Sequence, residues 1–186
     1  MSGGTRSYEM ARRLVKMGHE VYMITSWREN SDHKTWYETA VEGIHVHWLP
    51  VNYSNHMSNI ERIKVFFKFA LFSARKAVSL KVDIIFATST PLTIALPAVY
   101  ASRKLKIPMV FEVRDLWPEL PIAMGALKNP VTRFMAHRLE KFAYNNAAAV
   151  VALSPGMRDG VQRTGYMPNQ VAVIPNSSDI DMFRVD

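Results

Sequence analysis

The chain contains no cysteine, which excludes disulfide bonds, thiolate metal sites and cysteine nucleophiles and is compatible with a reducing cytoplasm. It also has no long uninterrupted apolar run. Its longest uncharged stretch, residues 84–102, contains two prolines and several hydroxyl residues, so we expect a strand, a turn and a helix there and not a membrane span. The first residues lack the apolar core of a signal peptide.

Several sequence signatures of nucleotide-binding proteins and hydrolases are missing. Gly3-Gly4-Thr5-Arg6 leads into the first helix, where glycine N–H groups can approach a phosphate. It has neither the G-x-G-x-x-G spacing of a dinucleotide-binding fold nor the lysine of a P-loop. No G-x-S-x-G elbow occurs either. These absences weigh against flavodoxin-like or nicotinamide-binding proteins and against hydrolases.

Acidic residues are outnumbered by basic ones. The 16 Asp and Glu residues face 23 Lys and Arg residues, which gives a formal net charge of +7. Such a balance favours anionic partners, namely nucleotide diphosphates, phospholipid headgroups or nucleic acid.

Strand and helix patterns alternate along the chain, which predicts an α/β fold with a doubly wound, parallel, Rossmann-like sheet. A length of 186 residues predicts one domain, residues 1–186. The first helix is expected from a stripe formed by Met10, Leu14 and Met17, and residues 27–39 are expected to form a polar loop. Because the chain starts at a glycine turn without a preceding strand, we expect it to be truncated at both ends.

The segment Val110–Glu119 carries the strongest functional signal. A short apolar run, suited to a buried parallel strand, changes abruptly into Arg114-Asp115-Leu116-Trp117-Pro118-Glu119. Residues just past the carboxyl end of such a strand line the ligand crevice of an open α/β sheet. Arg114 can hold a phosphate bidentately, and a carboxylate at the position of Asp115 favours function. For Trp117, burial in the core is an equal alternative.

A strand ending in RDLWPE, followed later by Val173-Ile174-Pro175-Asn176-Ser177-Ser178-Asp179, resembles the amino-terminal domain of retaining glycosyltransferases of family 4 with the GT-B fold. The closest resemblance is to the amino-sugar (fucosamine-type) transferases of bacterial O-antigen and capsule assembly. The resemblance implies an acceptor-side domain whose hinge to a second domain begins at about residues 176–186. It further implies a nucleotide-sugar donor, UDP-linked, a polyprenyl-diphosphate-linked glycan acceptor, and no cofactor.

The same resemblance assigns roles to residues at the ends of the predicted strands. It implies that Asp115 is the catalytic residue of this half. Substrate contacts are implied for Gly3, Gly4, Arg6, Ser89, Arg114, Trp117, Glu119, Ser154 and Asn176. For the turn that contains Ser89, helix capping by Thr90 is the alternative, and Ser154 before Pro155 also predicts a helix start.

The predicted helix 60–80 is unusually rich in phenylalanine and in basic residues. Phe66, Phe67, Phe69 and Phe72 cover more than one sheet-facing stripe, and basic residues surround them. This pattern is typical of an interfacial helix on anionic lipid, with a core helix as the equal alternative. With the resemblance, it predicts a peripheral location on the inner face of the cell membrane.

Three other interpretations remain. The chain can instead be a non-catalytic basic module that binds membrane or nucleic acid, although its basic residues lie beside phenylalanines and we expect no nucleic-acid partner. Asp179-Ile180-Asp181 resembles a metal-binding D-x-D, but its place in the predicted hinge argues against a metal. His45 and His47 share a strand face, but no nearby acidic or cysteine partner completes a metal site, so we predict a solvated face and no metal.

Overall fold

A computed structural model describes residues 5–27, 33–51, 57, 59–89, 91–125, 127–166 and 171–177. Strands and helices alternate in the order α1 Thr5–Lys16, β1 Val21–Trp27, β2 Tyr37–Val41, β3 Ile44–Pro50, α2 Asn59–Ser79, β4 Ile85–Thr88, α3 Ala95–Leu105, β5 Met109–Val113, α4 Glu119–Ala123, α5 Pro130–Asn145, β6 Ala149–Ala152, α6 Pro155–Arg163 and β7 Val171–Val173. The prediction of an α/β fold with a parallel sheet is confirmed.

The chain forms two compact units. The first comprises Met1–Ile85 and Thr93–Pro108, and the second comprises Phe86–Leu92 and Met109–Asp186. The prediction of a single domain over residues 1–186 stays a prediction.

The first unit contains a three-stranded sheet of order β1-β3-β2, in which β1 and β3 are parallel. Its core contains Ala11 and Ile44, and α1 packs there because Gly43 leaves space for Val15, whose Cγ1 lies 2.8 Å from the position that a Cβ would take. The helix α1 is confirmed, but the predicted stripe is wrong: Leu14 and Met17 are exposed. The face that packs is instead formed by Tyr8, Ala11 and Val15.

The strand β2 was not expected. The predicted loop over 27–39 is wrong at Trp27, which ends β1, and from Tyr37 onward, and residues 28–32 lie outside the described residues. β2 pairs antiparallel with β3, and Val41 opposite Ile44 leaves a two-residue turn. Both turn residues, Glu42 and Gly43, have positive φ angles of 49° and 82°, which suits a tight hairpin. A glycine at the second turn position was the sequence signal for this hairpin.

The second unit contains a four-stranded sheet of order β4-β5-β6-β7. The strands β5, β6 and β7 pair in parallel. The strand β4 also runs parallel to β5, because Ile85 N–H donates to the Pro108 carbonyl and Ser89 N–H to the Glu112 carbonyl, so both strands advance by four residues in the same direction. Phe111, Val113 and Val150 are buried on one face of this sheet and Glu112 and Val151 on the other, as expected for parallel strands covered on both faces.

The uncharged stretch 84–102 folds as β4, a short 3₁₀ turn and α3, as predicted. Among the described residues, no helix has both the length and the apolar character needed to cross a membrane.

Candidate functional site at the carboxyl ends of the four-stranded sheet

The four parallel strands of the second unit end at one edge of their sheet. The residues that follow these ends in an open α/β sheet face the ligand crevice. The structure brings to this edge most of the side chains predicted from sequence, namely Ser89 after β4, Arg114, Asp115, Trp117 and Glu119 after β5, Ser154 after β6, and Asn176 after β7.

Ser89 joins the ends of β4 and β5. Its side chain is buried, its N–H donates to the Glu112 carbonyl (2.8 Å), and its Oγ accepts a hydrogen bond from the Arg114 N–H (2.9 Å). The hydroxyl therefore fixes the backbone at the point where β5 turns into the Arg114–Glu119 loop. This contact gives Ser89 a positioning role beside the substrate contact that the resemblance implies.

Glu112 is a buried acidic residue of this region that the sequence reasoning missed. It lies on β5 with no solvent exposure, and its Oε2 accepts a hydrogen bond from the Thr88 hydroxyl (2.7 Å). A buried carboxylate needs such a partner because desolvation penalises the charge. The available signal was a glutamate interrupting the apolar run Val110-Phe111-Glu112-Val113.

The loop after β5 is anchored by its apolar residues, while its polar residues stay accessible. Pro118 is buried, and Leu116 contacts α6 at Gly160, where its methyl carbons lie 2.8 Å from the position that a Cβ would take. Arg114, Asp115 and Trp117 are half-buried. A polar side chain that is partly open and held by a packed backbone is well placed to contact a ligand.

Glu119 closes the loop and begins α4. It is exposed, and its Oε2 lies 3.7 Å from Nη2 of Arg163 on α6. This exposed ion pair contributes little to stability, and both side chains remain accessible.

A buried carboxyl group lies in α5, within electrostatic range of Glu119. Glu140 accepts a hydrogen bond from the Tyr144 hydroxyl (3.3 Å), and its other oxygen lies 3.4 Å from Nδ1 of His137. Burial raises the pKa of Glu140 above its ordinary value, and the charge of Glu119 acts in the same direction while His137 opposes it. Neither Glu140 nor His137 was predicted as a site residue.

Ser154 and Asn176 follow the last two strands. The Ser154 Oγ accepts a hydrogen bond from the Met157 N–H (3.2 Å) and caps α6, with Pro155 in the first helical turn, so the predicted cap is confirmed. Asn176 is exposed at the end of the described chain. Their implied substrate contacts stay predictions.

The remaining predicted site residues lie elsewhere. Arg6 is half-buried on α1 in the first unit, whereas Gly3 and Gly4 lie outside the described residues, as do Asp179 and Asp181. In the described part of the chain, no group of three or more histidine or acidic side chains could hold a metal ion.

The predicted solvated face of His45 and His47 is wrong for His47. His45 is exposed, but His47 is buried with 4% exposure. Its Nδ1 lies 2.8 Å from Oε1 of Glu38, which also accepts a hydrogen bond from Lys76 of α2 (2.7 Å), and the Tyr22 ring stacks on it at 6.0 Å. Burial lowers the pKa of His47, and the positive charge of Lys76 adds to that effect.

The sequence model of one family, the glycosyl transferase 4-like domain, matches residues 3–177. The chain belongs to this family. The match includes the Arg114–Glu119 loop and all four strand ends that form the site, and it confirms the coarser part of the resemblance, a family-4-like glycosyltransferase domain.

Solved structures with a similar chain path include three of Anabaena Alr3699/HepE. The complex with UDP and glucose is 17% identical with a TM-score of 0.48 and covers 78% of this chain and 34% of that chain. For the UDP complex, the sequence identity is 15% and the TM-score 0.46, and the match covers 76% of this chain and 33% of that chain. For the UDP-glucose complex, the identity is 12% and the TM-score 0.49, and the match covers 89% of this chain and 46% of that chain. The chain thus spans less than half of those chains. No curated protein matches the sequence.

Proposed function

We propose that this chain is the acceptor-binding half of a retaining, nucleotide-sugar-dependent glycosyltransferase that builds lipid-linked bacterial surface polysaccharide, of the O-antigen or capsule type. Membership of the glycosyl transferase 4-like family supports the reaction class. The transferred unit is proposed to be a hexosyl or amino-sugar group from a UDP-linked donor. The acceptor is proposed to be a glycan on polyprenyl diphosphate.

One observation carries this proposal: polar side chains follow all four parallel strands at the same edge of the sheet. At that edge, Asp115 can accept a hydrogen bond from the acceptor hydroxyl, and Arg114 can hold a diphosphate oxygen. The half-buried Trp117 offers a flat apolar face to a sugar ring. Glu119 can accept hydrogen bonds from further sugar hydroxyls.

The proposed reaction proceeds on one face of the donor sugar. The bond from the anomeric carbon to the diphosphate oxygen breaks, and the acceptor oxygen forms the new bond on the same face while its proton passes to the departing phosphate. No protein base and no metal are required from this half. The remaining task is to stabilise the charge on the departing diphosphate. Within this half of the enzyme, we assign that task to Gly3, Gly4 and Arg6.

A peripheral position on the inner face of the cell membrane is part of the proposal. The helix α2 presents one exposed stripe at helical spacing, formed by Lys64, Phe67, Lys68, Leu71 and Arg75. Apolar tips between basic residues suit the surface of an anionic bilayer. Such a position would bring the domain to its lipid-linked acceptor.

The proposal is tested first by acceptor binding to the 186-residue chain. We expect calorimetry to show binding of a polyprenyl-diphosphate-linked amino sugar held in nanodiscs, and we expect no transfer from UDP-sugars by this chain alone. Transfer by the isolated chain would overturn its assignment as an acceptor half. Absence of any acceptor binding would overturn the proposed substrate.

Asp115→Asn tests the site itself. In the full-length enzyme that the proposal requires, we expect kcat/KM to fall by roughly 10², about 2.7 kcal/mol, because the variant keeps the size of the side chain and removes its charge. The midpoint of urea unfolding should be unchanged. Asp159→Asn is the matched control, since Asp159 is an exposed aspartate of α6. Normal activity of Asp115→Asn would assign Asp115 to structure.

A further inference from the structure

Large apolar side chains are exposed on α4, on Met124 directly after it, and on the first turns of α5. Met124 is 75% exposed, Phe134 and Met135 are each 64% exposed, Val131 is 63% exposed, and Leu120 is 45% exposed. Single exposed hydrophobics are common on proteins, but three within one face of α5, preceded by two more in and after α4, are a concentration that suits an interaction surface. We call these five residues the α4–α5 apolar face.

The backbone holds this face in a defined arrangement. On α5, Glu140, Ala143 and Tyr144 are buried, so the helix packs on that side and presents the opposite side outward. Val131, Phe134 and Met135 have the i, i+3, i+4 spacing of one helical face. The connection to α4 is fixed by bonds from Leu127 N–H to the Pro121 carbonyl (3.2 Å) and from Arg133 Nε to the Leu127 carbonyl (2.7 Å).

The charge around the apolar face is almost entirely positive. Residues 120–141 contain four basic residues and one acidic residue, Glu140, and Glu140 is buried. Lys128, Arg138 and Lys141 are exposed. The nearest exposed acid in sequence, Glu119, lies beside Arg163.

We propose that the α4–α5 apolar face docks on the surface of an anionic lipid bilayer. Apolar tips can enter the boundary between headgroups and acyl chains while the basic residues contact anionic headgroups. A second copy of this chain fits less well, because a twofold contact would place like charges against each other. Nucleic acid would satisfy the charges but would leave the five apolar side chains without a partner.

This surface adjoins the candidate site. The helix α4 begins at Glu119, the last residue of the loop after β5, so a bilayer held at α4–α5 lies beside that loop. The link to a lipid-linked acceptor rests on the proposed function. The docking itself is measured without any glycosyl transfer, so its failure and the failure of the proposed function are distinguishable.

The experiment is co-sedimentation of the 186-residue chain with vesicles of phosphatidylcholine, with or without phosphatidylglycerol. Phe134→Ser with Met135→Ser removes apolar contacts, and Arg138→Glu with Lys141→Glu reverses charge. We expect each pair to weaken binding to anionic vesicles by roughly tenfold or more.

Matched controls come from exposed residues of the first unit. Met17→Ser with Tyr100→Ser changes two exposed apolar side chains, and Lys16→Glu with Lys104→Glu makes the same change in net charge as the α5 charge pair. We expect vesicle binding of the apolar control to equal that of the unmodified chain. The charge control should lose clearly less affinity than the α5 charge pair.

A direct contact measurement covers variants that fold poorly. Because the chain has no cysteine, Met135→Cys can carry a single polarity-sensitive fluorophore. We expect its emission to shift to the blue on anionic vesicles, whereas the same label at Tyr100→Cys should not respond. An unshifted label at Met135→Cys, or α5 pairs that bind like their controls, would overturn the proposal. Self-association that is lost in the α5 apolar pair, with vesicle binding intact, would overturn it in favour of a second copy.

Discussion

At the scale of single residues, Ser89 shows how a small side chain fixes the start of the candidate site. The sequence places it after a strand and before a proline turn, and the resemblance assigns it a substrate contact. The structure adds that its Oγ accepts the Arg114 N–H and that its side chain is buried. The same hydroxyl can still donate one hydrogen bond, so both roles fit one residue.

Ser89→Ala should therefore reduce stability. The substitution leaves the Arg114 N–H without its acceptor in a partly buried place, which costs about 1–3 kcal/mol. Urea unfolding followed by circular dichroism measures the loss, and Ser79→Ala is the control, because Ser79 is exposed and its hydroxyl donates to the Lys76 carbonyl of its own helix. A Ser89→Ala variant as stable as the control would contradict the positioning role.

Glu112 illustrates what residue patterns alone do not reveal. A glutamate inside an apolar strand is recognisable in the sequence, but its partner Thr88 lies 24 residues earlier. Only the pairing of β4 with β5 brings the two side chains together. For Trp117, the sequence left a ligand contact and burial in the core as equal alternatives. Its neighbours in the fold determine its exposure, and it is half-buried.

At the scale of elements, a polar cluster connects α2 to the hairpin of β2 and β3. Glu38 lies opposite His47 in the register of the two strands, and Lys76 of α2 donates to the same carboxylate. Lys76 is the first cause that lowers the pKa of Glu38. Burial, Lys76 and His45 lower the pKa of His47, while Glu38 opposes this change.

The lowered pKa of His47 predicts a pH dependence of stability. The unfolded chain binds a proton at His47 near the ordinary value of 6.5, whereas the folded chain binds it only at lower pH. Below about pH 6.5 the unfolded state holds more protons than the folded state, so the free energy of unfolding falls as the pH falls. Above about pH 6.5 His47 is neutral in both states and adds no pH dependence to the stability.

Urea unfolding over the range from about pH 7.5 to pH 5 tests this dependence. His47→Gln should show a smaller loss of stability on acidification than the unmodified chain, and His19→Gln, which changes an exposed histidine, should keep the full loss. Equal slopes for His47→Gln and the unmodified chain would show that His47 is not responsible. The raised pKa of the buried Glu140 acts in the opposite direction, but it is common to all three proteins and cancels in the comparison.

At the scale of the whole molecule, the net charge of +7 predicts attraction to anionic surfaces. Charge alone does not distinguish a bilayer from nucleic acid. The exposed stripe of α2 does, because Phe67 is 56% and Leu71 52% exposed between three exposed basic residues. Of the four phenylalanines that cover more than one stripe, Phe67 is exposed and Phe66, Phe69 and Phe72 are half-buried, while membrane binding itself stays a prediction.

Charge reversal on α2 tests that prediction. Lys64→Glu, Lys68→Glu and Arg75→Glu together should weaken co-sedimentation with anionic vesicles by on the order of 10²-fold, since each basic residue near an anionic surface contributes about 1 kcal/mol. Binding of the unmodified chain should also fall with added salt, because the electrostatic screening length shortens from about 10 Å at 0.1 M to about 3 Å at 1 M ionic strength.

The matched control reverses three exposed lysines elsewhere, Lys16, Lys34 and Lys104. It makes the same change in net charge, so it separates a local contact from general attraction. If the control loses as much affinity as the α2 variant, the membrane role of this helix is wrong. Binding to duplex DNA that exceeds binding to anionic vesicles would favour the non-catalytic nucleic-acid module.

The sequence by itself determined the alternation of strands and helices and the positions where polar residues follow strand ends. It could do so because hydrophobic periodicity, helix-breaking residues and helix caps are local properties of the chain. Asn129 caps α5 and Ser154 caps α6, as the proline after each of them predicts. This alternation favoured a parallel sheet, since parallel strands need crossover connections of this kind. The RDLWPE motif likewise pointed to the family that the match over residues 3–177 shows.

Only the tertiary structure decided which side chains are covered. His47 is buried because Glu38, Lys76 and Tyr22 surround it, the latter two lying more than twenty residues away. The packing face of α1 follows Ala11 and Val15, since Gly43 of the hairpin admits Val15 there. Phe134 and Met135 are exposed because α5 packs through its opposite side, where Ala143 and Tyr144 are buried. Burial is a property of neighbours brought together by folding, and no local pattern contains it.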